Sequence, residues 1–309
     1  MSGREQRGAA VVVVGSINVD TTMTVEHLPA AGETLLATGA RTTLGGKGAN
    51  QAVAAQRQGV PSALVGAVGD DDAGTGARRV LLAEGLDLES VVTRAGEPTG
   101  AAHIAVDRAG ANTIIVAQGA NATLSPADVR GATETIEACR VVLVQLEIPD
   151  DAVLEALRLG RAAGATTILN PAPARPLAPS LLRLCDVLVP NEPEAATLTG
   201  ETDRRAAVDA LRALAPDAVV IVTCGADGAL VAGPDLDGVS SVPAFPVAVV
   251  DTVAAGDAFC GVLAAALATR RPLLDAVRRA AAAGAHAATI AGAVASLPTA
   301  ADVERILRA

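Results

Sequence analysis

The chain has 309 residues and a formal net charge of −10; half of it is hydrophobic, yet it holds no Trp or Tyr and only two Phe, Phe245 and Phe259. A chain this long can bury a substantial core, and here that core must be aliphatic. The acidic balance argues against nucleic acid or an anionic membrane as partner, because both select positive patches. Residues 1–8 are short, polar and arginine-containing, without the apolar segment and cleavage site of an export signal, and no later apolar run reaches membrane-spanning length. Cys139, Cys185, Cys224 and Cys260 form no CxxC pair, and His27, His103 and His286 lack metal-ligand spacing. A soluble, cytoplasmic protein with reduced thiols is expected.

Residues 9–14 are a β-branched run closed by Gly15-Ser16, which predicts a central buried strand. Asn18 and Asp20 follow two apart, so on an extended chain they point the same way. Residues 34–43 have strand propensity with mixed polarity. Gly45-Gly46-Lys47-Gly48 then opens a predicted helix over 49–58, which Gly59 ends. A buried strand is predicted at 63–68, and Asp70-Asp71-Asp72 starts a helix reaching about residue 84. Short strands at 91–93, 101–107 and 113–116, with turn residues between them, read as a small accessory sheet. From Ser125, a cap with Pro126 at the first helical position, strands and helices alternate. Strands at 141–146, 166–169, 187–189 and 219–223 run into Glu147, Asn170, Asn191 and Gly225, with helices at 151–163 and 206–214. Helices at 257–269, 272–290 and 299–307 complete the pattern. Polar residues at strand C-terminal ends are where open parallel α/β sheets bind ligands. No internal repeat or low-complexity linker interrupts the chain, so one domain carrying an inserted small sheet is expected.

Two stretches carry chemistry. In Asp251-Thr252-Val253-Ala254-Ala255-Gly256-Asp257-Ala258-Phe259, small residues and a glycine lead into a carboxylate where a helix begins. Free N–H groups at a helix start suit a phosphate, and the small residues let a ligand approach the backbone. An acidic base beside an anion cradle is an arrangement for phosphoryl transfer. The second stretch is the glycine loop. Of 24 Lys and Arg, Lys47 alone is lysine, which suggests a crowded, ligand-facing position that a planar guanidinium does not fit.

With these pieces placed, the chain resembles the ribokinase family, within the carbohydrate kinase superfamily named for a minor phosphofructokinase. The likeness rests on Gly15-Ser16-Ile17-Asn18-Val19-Asp20, Gly32-Glu33-Thr34, the glycine loop continued through Asn50-Gln51-Ala52-Val53, Gly119-Ala120-Asn121 and Gln145-Leu146-Glu147. It extends through Asn170-Pro171-Ala172-Pro173-Ala174-Arg175, Pro190-Asn191-Glu192-Pro193-Glu194 and residues 251–259. The resemblance implies a ribokinase-like three-layer α/β sandwich with a central, mostly parallel sheet and a small β-sheet lid. It implies one domain over 1–309, with lid strands drawn from about 17–25, 33–45 and 99–118. The implied activity is ATP-dependent phosphorylation of D-ribose at its 5-hydroxyl, giving D-ribose 5-phosphate and ADP.

The same resemblance suggests residue roles. Asn18, Asp20, Gly46, Lys47, Asn50 and Glu147 would bind the sugar, and their amides and carboxylates suit paired hydrogen bonds to hydroxyls. Asp257 would be the base, a weak one that suits a loose transition state in which proton transfer comes late. Ala254, Ala255 and Gly256 would donate N–H groups to the transferred phosphoryl, while Asn191, Thr223, Gly225 and Gly228 would lie along the nucleotide. Glu194 would hold Mg2+ through water. A monovalent cation, K+, would take backbone oxygens at Asp251, Val253, Ala288, Ala291, Gly292 and Ser296. Ribokinases pair through the lid, so a homodimer is implied. Departures from the family pattern are Ala281, where some members place a histidine near adenine, Ala226 in the nucleotide turn and His103 in a lid strand. They bear on nucleotide affinity and lid packing. A nucleoside kinase is disfavoured by the scarcity of aromatic rings. A 2-deoxyribose kinase or fructokinase differs by only a contact or two, and Arg41 and Arg94 leave a phosphofructokinase open. A catalytically silent sugar-binding regulator should lack Asp257 or Gly256, and both are present.

Overall fold

The computed structural model describes residues 8–308; the polar segment 1–7, expected to carry no export signal, lies outside the described residues. The strands are β1 (Val11–Val14), β2 (Asn18–Thr24), β3 (Gly39–Gly45), β4 (Ser62–Gly69), β5 (Val91–Arg94), β6 (Gly100–Val106), β7 (Asn112–Ala117), β8 (Val141–Val144), β9 (Thr166–Leu169), β10 (Val187–Leu188), β11 (Val219–Thr223), β12 (Ala229–Ala232) and β13 (Ser240–Val242). A nine-stranded sheet has the order β13-β12-β11-β10-β9-β8-β1-β4-β5, and a four-stranded sheet the order β3-β2-β6-β7. From β10–β11 through β4–β5 the large sheet is parallel, and β12 and β13 add antiparallel pairs at one edge.

β1 consists of four valines, all fully buried, because helices cover both faces of the sheet at its centre. Alternation along the strand divides them. Val11 and Val13 pack with the helices Lys47–Gln56, Ala255–Ala268 and Leu273–Ala287, while Val12 and Val14 pack with Asp150–Ala162 and Arg204–Leu214 on the other face. Two aliphatic cores flanking one sheet make the expected three-layer α/β sandwich. Among the described residues, no helix is long and apolar enough to cross a membrane.

Three expectations need correction. Residues 91–93 belong to the large sheet, not the small one: β5 pairs in parallel with β4 as an edge strand. An edge strand is covered on fewer sides, and its polar Thr93 and Arg94 made it look accessory. The strand expected from residue 34 begins only at Gly39, and Leu36 before it is 90% exposed. The alternating rhythm of the second half also breaks after β11, where β12 and β13 return antiparallel with only a single 3-10 turn, Gly225–Asp227, before them and no α-helix.

The Lys47–Gln56 and Ala255–Ala268 helices touch at Gly261. A Cβ there would strike the Gln51 carbonyl and lie 2.5 Å from Ala54 Cβ. Such close backbone approach explains the run of small residues, Ala54, Ala55, Ala264 and Ala265, all buried in this core. Gly261→Val should therefore destabilise the chain by about 2–3 kcal/mol through overpacking. Urea denaturation measures this, and an unchanged midpoint would show that the helices are not in close contact.

Candidate active site

The C-terminal ends of the parallel strands and the inner face of the small sheet enclose a cleft of about 430 Å³. Sequence dictates how the chain enters it. After β1, Gly15-Ser16-Ile17 leads into β2, which brings Asn18 and Asp20 to the cleft. The glycine loop folds back against this segment. Gly46 has φ 87°, and a Cβ on it would sit 2.7 Å from the Asn18 nitrogen and 2.9 Å from the Ser16 oxygen. A Cβ on Gly45 would strike the Asp20 carboxylate. Only glycine fits at position 46, and Gly45 leaves the room that the Asp20 carboxylate occupies.

Glu147, just beyond β8, is held through one oxygen. Ser16 Oγ donates to its Oε2 at 2.5 Å and the Lys47 backbone N–H at 3.1 Å. Asn121 Nδ2 donates to Asn18 Oδ1 at 2.8 Å, so Asn18 is left with its own N–H donors for a ligand. Asp20 Oδ1 and Asn50 Oδ1 are buried acceptors without a partner. Both residues line the cleft, and unpaired buried acceptors call for hydroxyl or N–H donors from a ligand.

Asp257 lies in the first turn of the Ala255–Ala268 helix and is 6% exposed. Its Oδ2 accepts from Asn50 Nδ2 and its Oδ1 from Gln51 Nε2, each at 2.9 Å. Ala254 precedes the helix in the left-handed conformation, φ 60°, a strained state for a residue other than glycine. Gly256 lines the cleft in this first turn, and a Cβ on it would meet nothing within 4 Å, while the Ala255 N–H donates to Thr252 O at 3.3 Å. Lys47 was expected in a loop. Instead it opens the Lys47–Gln56 helix and is partly buried. Burial opposes its charge, but the carboxylates of Asp257, Glu147 and Glu194 outweigh this and raise its pKa. Burial, reinforced by the Glu147 charge, pushes the Asp20 carboxyl up to about 6. Burial also raises Glu194, although Lys47 pulls it the other way.

Asn191 and Glu194 line the cleft and form a capping box at the Glu192–Thr199 helix, with Asn191 N–H donating to Glu194 Oε2 and Glu194 N–H to Asn191 Oδ1, both at 2.8 Å. Thr223, Val253, Ala254 and Gly256 also face the cleft; Ala255, Gly225 and Gly228 do not. Of the expected cation positions, only Val253 reaches the cleft, but the loops that carry the set are tied together. Asp251 Oδ2 accepts from Gly292 N–H at 2.9 Å, and Ser296 Oγ donates to Ala293 O at 2.8 Å. The Ala288 carbonyl already accepts from Val250 N–H at 2.8 Å and Asp251 N–H at 3.2 Å, which leaves it the least available of the set. Ala291 is exposed beside them.

Arg94 is occupied away from the cleft by Thr123 and an ion pair with Asp128. Arg41 packs over Gly292. His103 is exposed and Ala281 packs against the core. A second cavity, about 420 Å³ at the far end of the Ala255–Ala268 helix near Thr269 and Arg270, contains none of the expected site residues. Sequence reasoning assigned no role to Ser16, Gln51, Asn121, Gln145 or Asn170. A usable signal was present: each is a polar side chain in a run of apolar or small residues, where burial without a partner would be costly.

An open, mostly parallel sheet with amides and carboxylates at its C-terminal edge, and a buried aspartate where a helix N-terminus meets them, defines a phosphoryl-transfer enzyme for a hydroxyl-rich small molecule. The chain belongs to the pfkB family of carbohydrate kinases, whose model matches residues 9–300. It is 38% identical to a ribokinase of Bacillus subtilis, covering 96% of this chain and 99% of that one. A bifunctional ribokinase/ribose-5-phosphate isomerase A of Fructilactobacillus sanfranciscensis is 40% identical over 94% of this chain, which spans 54% of that longer protein. The structure of Arabidopsis thaliana ribokinase complexed with ribose and ATP superposes with a TM-score of 0.89 at 32% identity, covering 97% of this chain and 99% of that one.

The raised Asp20 carboxyl has a consequence for stability. The folded state holds its proton more firmly than the unfolded chain, whose value is near 3.8, so the contribution is fully present below pH 3.8 and is lost as pH rises through about 6. Asp20→Asn removes this penalty and should stabilise the chain at pH 8 by about 1–3 kcal/mol, discounted for partial exposure. The gain should vanish near pH 4. Thermal melts across this range test it, and a gain independent of pH would contradict the burial of this charge.

Proposed function

We propose that this chain is an ATP-dependent ribokinase, transferring the γ-phosphoryl group of ATP to O5 of D-ribose to give D-ribose 5-phosphate and ADP. One observation carries the reading: a single cleft joins unpaired buried acceptors on Asp20 and Asn50 to an acceptor-only carboxylate, Asp257, at a helix N-terminus. The sugar's hydroxyls donate to Asp20 Oδ1 and Asn50 Oδ1 and to the free oxygen of Glu147, while Asn18 donates back. Gly46 allows the sugar to lie against the backbone. O5 attacks the γ-phosphorus, its proton passes to Asp257, and the bond to the β-phosphate oxygen breaks with release of ADP. Backbone N–H groups of Ala254 and Gly256 receive the charge of the transferring group, joined by that of Ala255 if its bond to Thr252 O opens, and Lys47 adds a cation between sugar and phosphates. Asn191, Thr223, Gly225 and Gly228 follow the nucleotide.

The residues fit two cations that this chemistry uses. Glu194, one carboxylate at the cleft, suits Mg2+ held through water and the phosphates of ATP. Backbone oxygens of Asp251, Val253, Ala291, Gly292 and Ser296, on loops already tied by the Asp251 carboxylate, suit K+. Bound cations supply positive potential beside the phosphates. The small sheet acts as a lid on a single domain: Ile114 and Val116 of its outer strand face the cleft, while Ile115 is exposed on the opposite face, and this with the open strand edge supports a homodimer through that sheet. Light scattering that finds an active monomer at micromolar concentration would refute the dimer. Four buried free thiols suit the reducing cytoplasm, where cell fractionation should find the protein.

Asp257→Asn should bind ribose nearly as well as the wild type and lower kcat by about 10²–10⁴. Ribose should give a higher kcat/KM than 2-deoxyribose or fructose; a reversal would reassign the substrate, and normal turnover by the variant would remove Asp257 as base. Replacing K+ with a large organic cation at constant ionic strength should lower kcat about tenfold or more. Equal rates would exclude the monovalent site.

A further inference from the structure

Beside Asp257 runs a buried chain of side-chain amides that reaches the cleft at Asn170. Gln51 Nε2 donates twice, to Asp257 Oδ1 at 2.9 Å and to Asn170 Oδ1 at 3.1 Å. Gln51 Oε1 accepts from Gln145 Nε2 at 2.7 Å, and Asn170 Nδ2 donates to the Val189 carbonyl at 2.9 Å. Gln51 and Gln145 have no exposure and Asn170 only 8%. The chain has a direction, set at one end. A backbone carbonyl only accepts, so Asn170 must turn its NH2 to Val189 and its oxygen to Gln51. Gln51 must then present its NH2 to Asn170 and, with its second hydrogen, to Asp257. Its oxygen, pointing the other way, needs the donor that Gln145 supplies.

A reversed Gln51 amide would place an oxygen against the Asp257 carboxylate and another against Asn170. Both contacts are repulsive in a buried site, where low dielectric magnifies them. The geometry points to Gln51 as a positioning residue for the proposed base, with Asn170 and Gln145 fixing the sense of its amide so that Asp257 always meets a donor on this side. With Asn50 on the other oxygen, the carboxylate plane is pinned from two directions, and its remaining lone pairs are aimed at the attacking hydroxyl. Misplacing a reacting group by about 1 Å costs on the order of 100-fold in rate, so a device that acts only on carboxylate orientation can matter this much.

Gln145 offers the sharper probe. It touches Gln51 and not Asp257, and its own Oε1 is buried without a partner. Gln145→Met keeps the volume, removes that unpaired oxygen and deletes only the donor that orients Gln51. The melting temperature should stay near wild type, while kcat falls about 5–30-fold with ribose KM within about twofold. Gln51→Met should lower kcat about 10–100-fold with the same small change in KM.

The double variant should match Gln51→Met alone, because without the Gln51 amide Gln145 has nothing to orient; independent structural effects would multiply instead. The inference rests on Asp257 as base, so Asp257→Asn is measured alongside. If that variant is inactive but Gln51→Met and Gln145→Met keep wild-type kcat, or lose kcat only in proportion to melting temperature, the positioning role alone is overturned. Normal turnover by Asp257→Asn overturns both.

Discussion

The structure turns on one contact: a buried carboxylate, Asp257, whose two oxygens accept from Asn50 and Gln51 on a neighbouring helix. A charge at this depth persists only where donors replace the water it has lost. Those donors reach it because the Lys47–Gln56 and Ala255–Ala268 helices pack at backbone distance, which Gly261 permits. The same approach places Lys47, at the start of one helix, beside the first-turn amides of the other. Core packing and the cleft are therefore one arrangement, because the helix contact that closes the core also sets Asn50 and Gln51 against Asp257.

The cleft is also unbalanced in charge. Asp20, Glu147, Glu194 and Asp257 surround a single ammonium, Lys47, and burial, reinforced by neighbouring carboxylates, holds the Asp20 and Glu194 carboxyls above their usual range. Such a site binds neutral, hydroxyl-bearing molecules readily, but it repels a triphosphate unless cations accompany it. The start of the Ala255–Ala268 helix, where Gly256 lines the cleft, offers a favourable place for an anion. The unpaired acceptors of Asp20 and Asn50 and the helix N-terminus thus present opposite polarity within one cleft.

Much of the account was legible in the residues. The valines of β1 announced a strand buried on both faces, and residues 251–259 announced a carboxylate at a helix start. The glycines beside Lys47 signalled close approach, which the Gly45 and Gly46 contacts bear out. Other parts were hidden for physical reasons. β5 carries the mixed polarity of any edge strand, so its sequence does not say which sheet it joins. Lys47 looked like a loop residue because glycines flank it, yet it begins a helix. Gln51, Gln145 and Asn170 meet only in three dimensions, on segments separated by 94 and 119 residues from Gln51, and a buried amide declares its partner only once the sheet order is known.

The central claim is that the cleft positions one hydroxyl of a pentose between Asp257 and the helix N-terminus. Incubating the chain with ATP, Mg2+, K+ and uniformly 13C-labelled D-ribose, and reading the product by 13C and 31P nuclear magnetic resonance, tests it most directly. The account predicts stoichiometric ADP and phosphorus coupling confined to C5 and its neighbour C4. Phosphate at C1 or another carbon, or no phosphorylated sugar from a correctly folded chain, would contradict it.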